Sequence, residues 1–342
     1  MPRVVTFGEI MLRLSPPGFE RFFQSPLLSA TFGGGEANVA VSLAHFGVDS
    51  AYVTRVPKNA IGDAAVRCLR AEGVDVRHVV RGGERLGIYF AETGASQRAS
   101  TVIYDRAGAA IAGVEPGQIG WAAVLRGADW FHVTGITPAL GPRVAAATVE
   151  ALDAARAAGV TVSMDLNFRK KLWSETQAQK TMGPMMSRVD VVVANEEDIQ
   201  SVLGFAVPGA DAVGGHVEPA AYEGVARRVS KELGPSRVAI TLRESHSASD
   251  NGWSAVLWDE RTGTFTHSQH YELRVIDRIG GGDSFAAGLI YGLLSGRAPE
   301  EALRFAVAAS ALKHTIPGDF NRATADEVDR LVVGDASGRV QR

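Results

Sequence analysis

Asp277-Arg278-Ile279-Gly280-Gly281-Gly282-Asp283-Ser284-Phe285 runs three glycines straight into a carboxylate. Glycines let successive backbone N–H groups converge, and a helix N-terminus adds a positive dipole end. The apolar spacing of Phe285, Leu289 and Leu293 predicts such a helix. Together these features suit a phosphate-like anion. A carboxylate beside a bound anion repels it, so Asp283 needs a function there. Taking a proton from a hydroxyl that attacks a phosphoryl group supplies one. A glycine-rich turn with Asp283 as an ordinary helix cap accounts for the same residues.

Three further stretches carry chemistry. Gly33-Gly34-Gly35-Glu36-Ala37-Asn38 ends an irregular segment and opens a helical pattern. It offers close backbone approach to a small ligand and one amide that both donates and accepts. Asp165-Leu166-Asn167-Phe168-Arg169-Lys170-Lys171-Leu172-Trp173 follows a buried-strand pattern, where an arginine can grip a carboxylate with two parallel hydrogen bonds. Asn195-Glu196-Glu197-Asp198 also follows a strand and could help hold hydrated Mg²⁺ beside a phosphate. The bland alternatives are a helix entry, a solvated basic loop and an acidic first turn.

The elements that must position these residues alternate. Strands are expected at Val4–Phe7, Ala51–Val56, Trp130–Thr134, Val160–Asp165, Val189–Ala194 and Val238–Leu242. Helices are expected at Glu36–Phe46, Ala60–Glu72, Pro142–Ala158, Glu175–Met186, Glu196–Leu203, Ala220–Leu233, Asp283–Leu294 and Pro299–Lys313. This predicts an α/β fold with a mainly parallel sheet covered on both faces, binding ligands beyond the carboxyl ends of its strands. Segments about 13–32 and 83–111 break the rhythm with strand-like pieces at Gly87–Glu92 and Ser100–Tyr104. They could form a small sheet serving as a lid. A surface loop is expected at about Val207–Glu218 and a frayed tail after Gly334, leaving 1–333 as one domain.

Composition narrows the classes. The chain has 342 residues, 46% of them hydrophobic, and a formal charge of −3. That balance, with no long basic run, argues against nucleic acid as a partner. A single cysteine, Cys68, excludes an intrachain disulfide and fits a reducing compartment. No apolar stretch reaches bilayer length, so the reading is cytoplasmic without membrane association. Gly-Lys-Ser/Thr is absent, and Gly8 is followed by Glu9-Ile10-Met11 rather than by a dinucleotide fingerprint. The P-loop and nicotinamide readings lose their main support.

With these residues in view, the chain resembles the ribokinase-like (PfkB) carbohydrate kinases. Gly33–Asn38 resembles that family's N-terminal signature and Asp277–Gly288 its C-terminal one, with Arg278 and Gly281 departing from the usual pattern. The resemblance runs from about Val4 to about Leu331. It is strongest to 2-keto-3-deoxygluconate kinases, through Phe7–Leu14, Asp165-x-Asn167-x-Arg169-x-x-Leu172-Trp173 and Asp277–Asp283. Arg13 stands where ribokinases carry an aspartate, which suits an acidic substrate.

The resemblance implies a three-layer α/β/α fold with a β-sheet lid, and a kinase using ATP and Mg²⁺ on an acidic sugar. Asp283 would be the catalytic base, with the Gly280, Gly281 and Gly282 amides forming an anion hole. Gly34, Asn38, Tyr89, Tyr104, Arg106 and Arg169 would meet the sugar, Arg169 taking its carboxylate. Asn195, Thr241, Arg243, Ala306 and Ser310 would lie near ATP, and Asn195 with Asp198 would organise Mg²⁺ through water. A monovalent cation such as K⁺ near the Asp277 loop and a homo-oligomer joined through the lid belong to the same resemblance. A kinase of a neutral sugar such as fructose, and a non-catalytic sugar sensor, remain as alternative functions.

Overall fold

The first strand, β1 (Arg3–Phe7), shows how the core is divided. Val4 packs into one apolar cluster and Val5 into another, because successive side chains of a strand face opposite ways. The computed structural model describes residues 1–207 and 219–334. The loop expected at 207–218, beyond its first residue, and the tail after Gly334 lie outside the described residues.

Along the chain, β2 (Met11–Ser15) and β3 (Ser29–Gly33) lead into α1 (Gly35–His45). β4 (Asp49–Val53), β5 (Arg55–Val56), α2 (Ala60–Ala71), β6 (Val80–Arg81), β7 (Gly87–Glu92) and β8 (Thr101–Asp105) follow. Next come α3 (Trp121–Val124), β9 (Trp130–Thr134), α4 (Ile136–Ala139), α5 (Pro142–Ala157), β10 (Thr161–Asp165) and α6 (Glu175–Met182). β11 (Val191–Asn195), α7 (Asp198–Leu203), α8 (Ala221–Leu233), β12 (Arg237–Ser245) and β13 (Asp250–Asp259) continue the chain. β14 (Thr264–His267), β15 (Tyr271–Arg274), α9 (Gly281–Leu294), α10 (Pro299–Lys313) and α11 (Ala325–Val332) complete it.

A nine-stranded sheet has the order β14-β13-β12-β11-β10-β9-β1-β4, with β15 also on β13. From β12 to β4 the strands are parallel, with Val5 opposite both Ala51 and Phe131. Each parallel strand is buried on both faces, which is why it reads as a continuous apolar run. Phe131, Val162 and Val192 share one cluster with Leu152 and Val225 of the helices. Trp130, Val191 and Ala239 face the other way, onto Phe285, Leu289 and Phe305. The architecture is therefore the expected α/β/α sandwich.

α9 and α10 approach closely. A Cβ on Gly288 would stand 2.7 Å from the Ala306 Cα, and one on Gly292 2.7 Å from the Ala302 Cα. A second sheet of four strands, ordered β3-β2-β7-β8, comes from the two segments that broke the rhythm. Tyr89 and Tyr104 are partners in its antiparallel β7–β8 pair.

Some boundaries differ from expectation. The strand expected through Val56 leaves the main sheet after Val53, and Arg55–Val56 pairs instead with Val80–Arg81. The helix expected to Met186 stops at Met182, where Gly183-Pro184 begins a 3₁₀ turn; proline there supplies no N–H. α7 starts at Asp198 because Asn195 Oδ1 accepts the Glu197 and Asp198 N–H groups at 2.9 and 2.8 Å. The antiparallel edge β13–β15 and the helix α11 carry no expectation from sequence. Among the described residues, no helix is long and apolar enough to cross a membrane.

Candidate active site

Both glycine runs end at helix N-termini on one side of a cavity of about 330 Å³. The carboxyl ends of β10 and β11 and the small sheet close its other sides through Asp165, Asn195, Tyr89 and Tyr104. The sheet thus does what its topology requires, opening its ligand crevice beyond the strand ends.

Gly280 has a φ of +86°, a left-handed conformation, and a Cβ there would meet the Asp319 carbonyl oxygen at 2.1 Å. Gly282 faces open space, so ligand atoms can approach its backbone. Gly281 is buried under His314, whose ring would lie 2.5 Å from an added Cβ. Of the three glycines, Gly280 and Gly282 line the cavity.

Asp283 opens the first turn of α9 and is almost fully enclosed. Burial pushes its carboxyl up to about 6, against the pull of the Asn38 amide, Arg169 and Lys313. Asn38 Nδ2 donates to Asp283 Oδ2 at 2.7 Å, while Asn38 Oδ1 accepts the Gly34 N–H at 3.2 Å. One side chain therefore ties the two glycine runs together, across 245 residues of sequence.

Two more carboxyl groups crowd the same end. Asp165 is raised well above the ordinary range by burial, then by Asp198 and Asp283. Asp198 is raised to about 6 by burial, with Arg169 opposing. Arg169 lines the cavity, and its guanidinium donates to the neighbouring Phe168 carbonyl at 3.0 Å. Among the described residues it forms no ion pair in contact, leaving its outer face for a ligand anion. Lys170, Lys171 and Trp173 line a second cleft that adjoins the cavity through Tyr104, Arg106 and Arg169.

Arg106 lies 4.6 Å from the Tyr104 ring centroid and 3.2 Å from Glu9 Oε2, without hydrogen-bond alignment to that oxygen. Burial raises Glu9 to about 7, and Arg106 counters it. Tyr89 offers the cavity its ring, because its hydroxyl donates to Asp319 at 2.5–2.6 Å. At the other end, Arg243 lies over the Trp253 ring, 5.2 Å from its centroid. Arg278 also reaches this end, and Thr241 and Trp253 line it.

Four residues expected at the site do not line the cavity: Gly281, Ala306, Ser310 and Arg13. Ala306 and Ser310 have no exposed surface, since the face of α10 that carries them packs on α9. Ser310 Oγ instead donates to the Gly281 carbonyl at 2.7 Å and fixes the glycine turn from behind. Arg13 does not face the cavity; it is buried between Asp277 at 2.7 Å and Asp319 at 2.8 Å, so its charge is not offered to a substrate. The expectations at Gly34, Asn38, Tyr89, Tyr104, Arg106, Arg169, Asn195, Asp198, Thr241, Arg243, Gly280, Gly282 and Asp283 converge on one cavity. The sequence reading missed Asp165, Asn167, Trp253, Arg278 and Asp319 as lining residues. Asp165 and Asn167 share a pattern with Arg169, and Arg278 stands inside the glycine signature, so each had a local signal. Trp253 and Asp319 had none.

A family model described as pfkB family carbohydrate kinase matches residues 1–323. A 2-dehydro-3-deoxygalactonokinase of Haloferax volcanii is 33% identical over 339 residues, covering 98% of each chain. A 2-dehydro-3-deoxygluconokinase of Bacillus subtilis is 28% identical, over 93% of this chain and 91% of the relative. The crystal structure of a 2-dehydro-3-deoxygluconokinase from Thermotoga maritima superposes with a TM-score of 0.94 at 48% identity, covering 98% of this chain and 100% of that one.

Proposed function

Since the chain belongs to the pfkB family of carbohydrate kinases, we propose that it transfers the γ-phosphoryl group of ATP to the 6-hydroxyl of 2-keto-3-deoxygluconate. The observation that carries this reading is Asp283 at the mouth of the glycine turn, held by Asn38, with Arg169 in the same cavity. Arg169 takes the substrate carboxylate, which aims the distal hydroxyl at Asp283. Asp283 accepts that proton as the hydroxyl oxygen bonds to the γ-phosphorus and the bond to ADP breaks. The Gly280 and Gly282 backbone receives the charge that develops on the phosphoryl oxygens.

Arg243 and Arg278 lie on the nucleotide side of this arrangement, where their charges suit a polyphosphate. The small sheet acts as a lid that brings Tyr104 and Arg106 over the sugar and excludes water. Among the described residues, no three His, Cys, Asp or Glu side chains form a ready metal cage. The crowded carboxyl groups of Asp165 and Asp198 nonetheless fit Mg²⁺ that arrives on the phosphates and keeps its water. Asn195 and Asp198 would hold it through that water, and the ion would neutralise phosphate charge.

Gluconate-derived over galactonate-derived acid is supported by the higher identity to the T. maritima gluconokinase than to the H. volcanii galactonokinase. Coupled ADP release with both keto-acids, fructose and ribose tests the reading. The gluconate-derived keto-acid should have the highest kcat/KM. Preference for a neutral sugar would remove the carboxylate argument, and preference for the galactonate-derived acid would correct the stereochemistry.

A further inference from the structure

The family resemblance leaves room for a monovalent cation beside the Asp277 loop, but all three oxygens of Asp277 already have partners within the chain. Asp277 Oδ1 accepts the Ile279 N–H at 3.1 Å. Asp277 Oδ2 accepts Arg13 Nη2 at 2.7 Å and the Gly318 N–H at 3.0 Å. The Asp277 carbonyl accepts from Lys313 Nζ at 3.3 Å, and the same ammonium donates to the Ile316 carbonyl at 3.0 Å.

Lys313 has no exposed surface, and among the described residues its ammonium donates to two backbone carbonyls. A lysine ammonium is strongly hydrated in water, so burying it needs compensation. Here Asp277, Asp319 and Asp283 attract it while Arg13 repels it. Its Cε lies 3.2 Å from where a Gly280 Cβ would stand, directly behind the glycine turn. A single positive charge seated on backbone carbonyls is the chemistry of a monovalent-cation site, with a nitrogen where the ion would be. The residues therefore do not fit a free ion.

We infer that Lys313 is the built-in cation of the anion loop, a positioning residue that holds the Asp277–Gly280 turn and makes added K⁺ unnecessary. Arg13 pairs with Asp277 and Asp319, and the same two carboxylates attract the Lys313 ammonium, so two positive charges face two carboxylates around the loop. This rests on the kinase reading but not on which sugar is the substrate.

The test compares wild type, Lys313→Met and Lys313→Ala in K⁺, Na⁺ and tetramethylammonium at constant ionic strength. ADP release and thermal midpoint are read together. The wild type should show the same rate and midpoint in all three salts; saturable K⁺ activation would overturn the inference. Lys313→Met, a neutral side chain of similar length, should lose about tenfold or more in kcat with the sugar KM unchanged. Wild-type kcat in Lys313→Met would also overturn it. Lys313→Ala leaves room for an ion, so K⁺ or methylammonium should restore part of its rate and raise its midpoint. A folded Lys313→Ala that no cation rescues would reduce the lysine to a packing role and sink the proposal. If neither variant folds, the wild-type response to K⁺ decides. Should no sugar be turned over, the substrate reading has failed, while the wild-type midpoint still judges this one.

Discussion

Replacing Asp283 by asparagine separates what the carboxylate does for turnover from what it costs the fold. Loss of a general base lowers turnover by about 10²–10⁴-fold, or roughly 3–5 kcal/mol of barrier. The stability effect has the opposite sign. Burial raises the folded pKa from 3.8 to about 6, so the folded protein gains stability as pH falls through that window. At neutral pH the buried charge costs the fold roughly 3 kcal/mol, taking the difference between those two values as order of magnitude. An amide carries no such cost, although it gives up the charge-assisted bond from Asn38 Nδ2 at 2.7 Å. Asp283→Asn should therefore be nearly inactive and melt at a higher temperature than wild type. The pH profile adds a third readout. Wild-type kcat/KM should fall as pH drops through about 6, and that limb should vanish in the variant. The assays are steady-state ADP release across pH and thermal denaturation at neutral pH. Turnover within a few-fold of wild type, or an acid limb that persists in the variant, would refute the assignment of the base.

Other expectations follow from the same geometry. Arg169→Ala should weaken keto-acid binding about 10–100-fold while the ATP KM stays constant. It should also move the acid limb of wild-type activity to higher pH, because Arg169 favours the charged form of Asp283; equal loss with a neutral sugar would argue against the carboxylate role. Gly288→Ala gains about 0.5–1 kcal/mol of helix propensity, yet its Cβ would meet the Ala306 Cα at 2.7 Å. Overpacking costs about 1–3 kcal/mol, so a lower denaturation midpoint is expected, and a higher one would mean α9 and α10 part freely. Glu36 accepts all three of its side-chain hydrogen bonds, two from Thr134 and one from Thr137, on Oε1. Burial raises it from 4.5 to about 7, so its charge destabilises the fold increasingly as pH rises through that window. Glu36→Gln should melt above wild type beyond about pH 7, with the gain fading toward pH 4.5; a gain independent of pH would refute this.

Legibility followed the range of the interactions. The parallel strands announced themselves because burial on both faces makes each an apolar run, as in Val191–Ala194. The glycine turns were legible because their signals lie within a few residues of Asp283 and Asn38. Arg13 was misread because its partners, Asp277 and Asp319, lie 264 and 306 residues away. Ala306 and Ser310 were misplaced because a helix that is apolar on several faces does not disclose which side meets a ligand. β13 escaped notice because Asp250, Asn251 and Gly252 at its start read as a turn. It pairs antiparallel with β12 on one side and with β14 and β15 on the other, outside the run of parallel strands.

The placement of α9 and α10 on one face of the main sheet has a consequence for biosynthesis. β1 sits inside the sheet and α1 packs on α9, so the first-made elements wait for nearly the last-made ones. Until residues 281–313 emerge, Val4, Val39, Leu43 and Trp130 lack the apolar partners that cover them in the finished molecule. A nascent chain in that state exposes a broad hydrophobic face, the condition that invites aggregation or chaperone capture. The segment that ends this exposure also delivers Asp283. Completion of the core and arrival of the carboxylate are thus one event, and a chain that stops before residue 281 lacks both the cover for this face and Asp283.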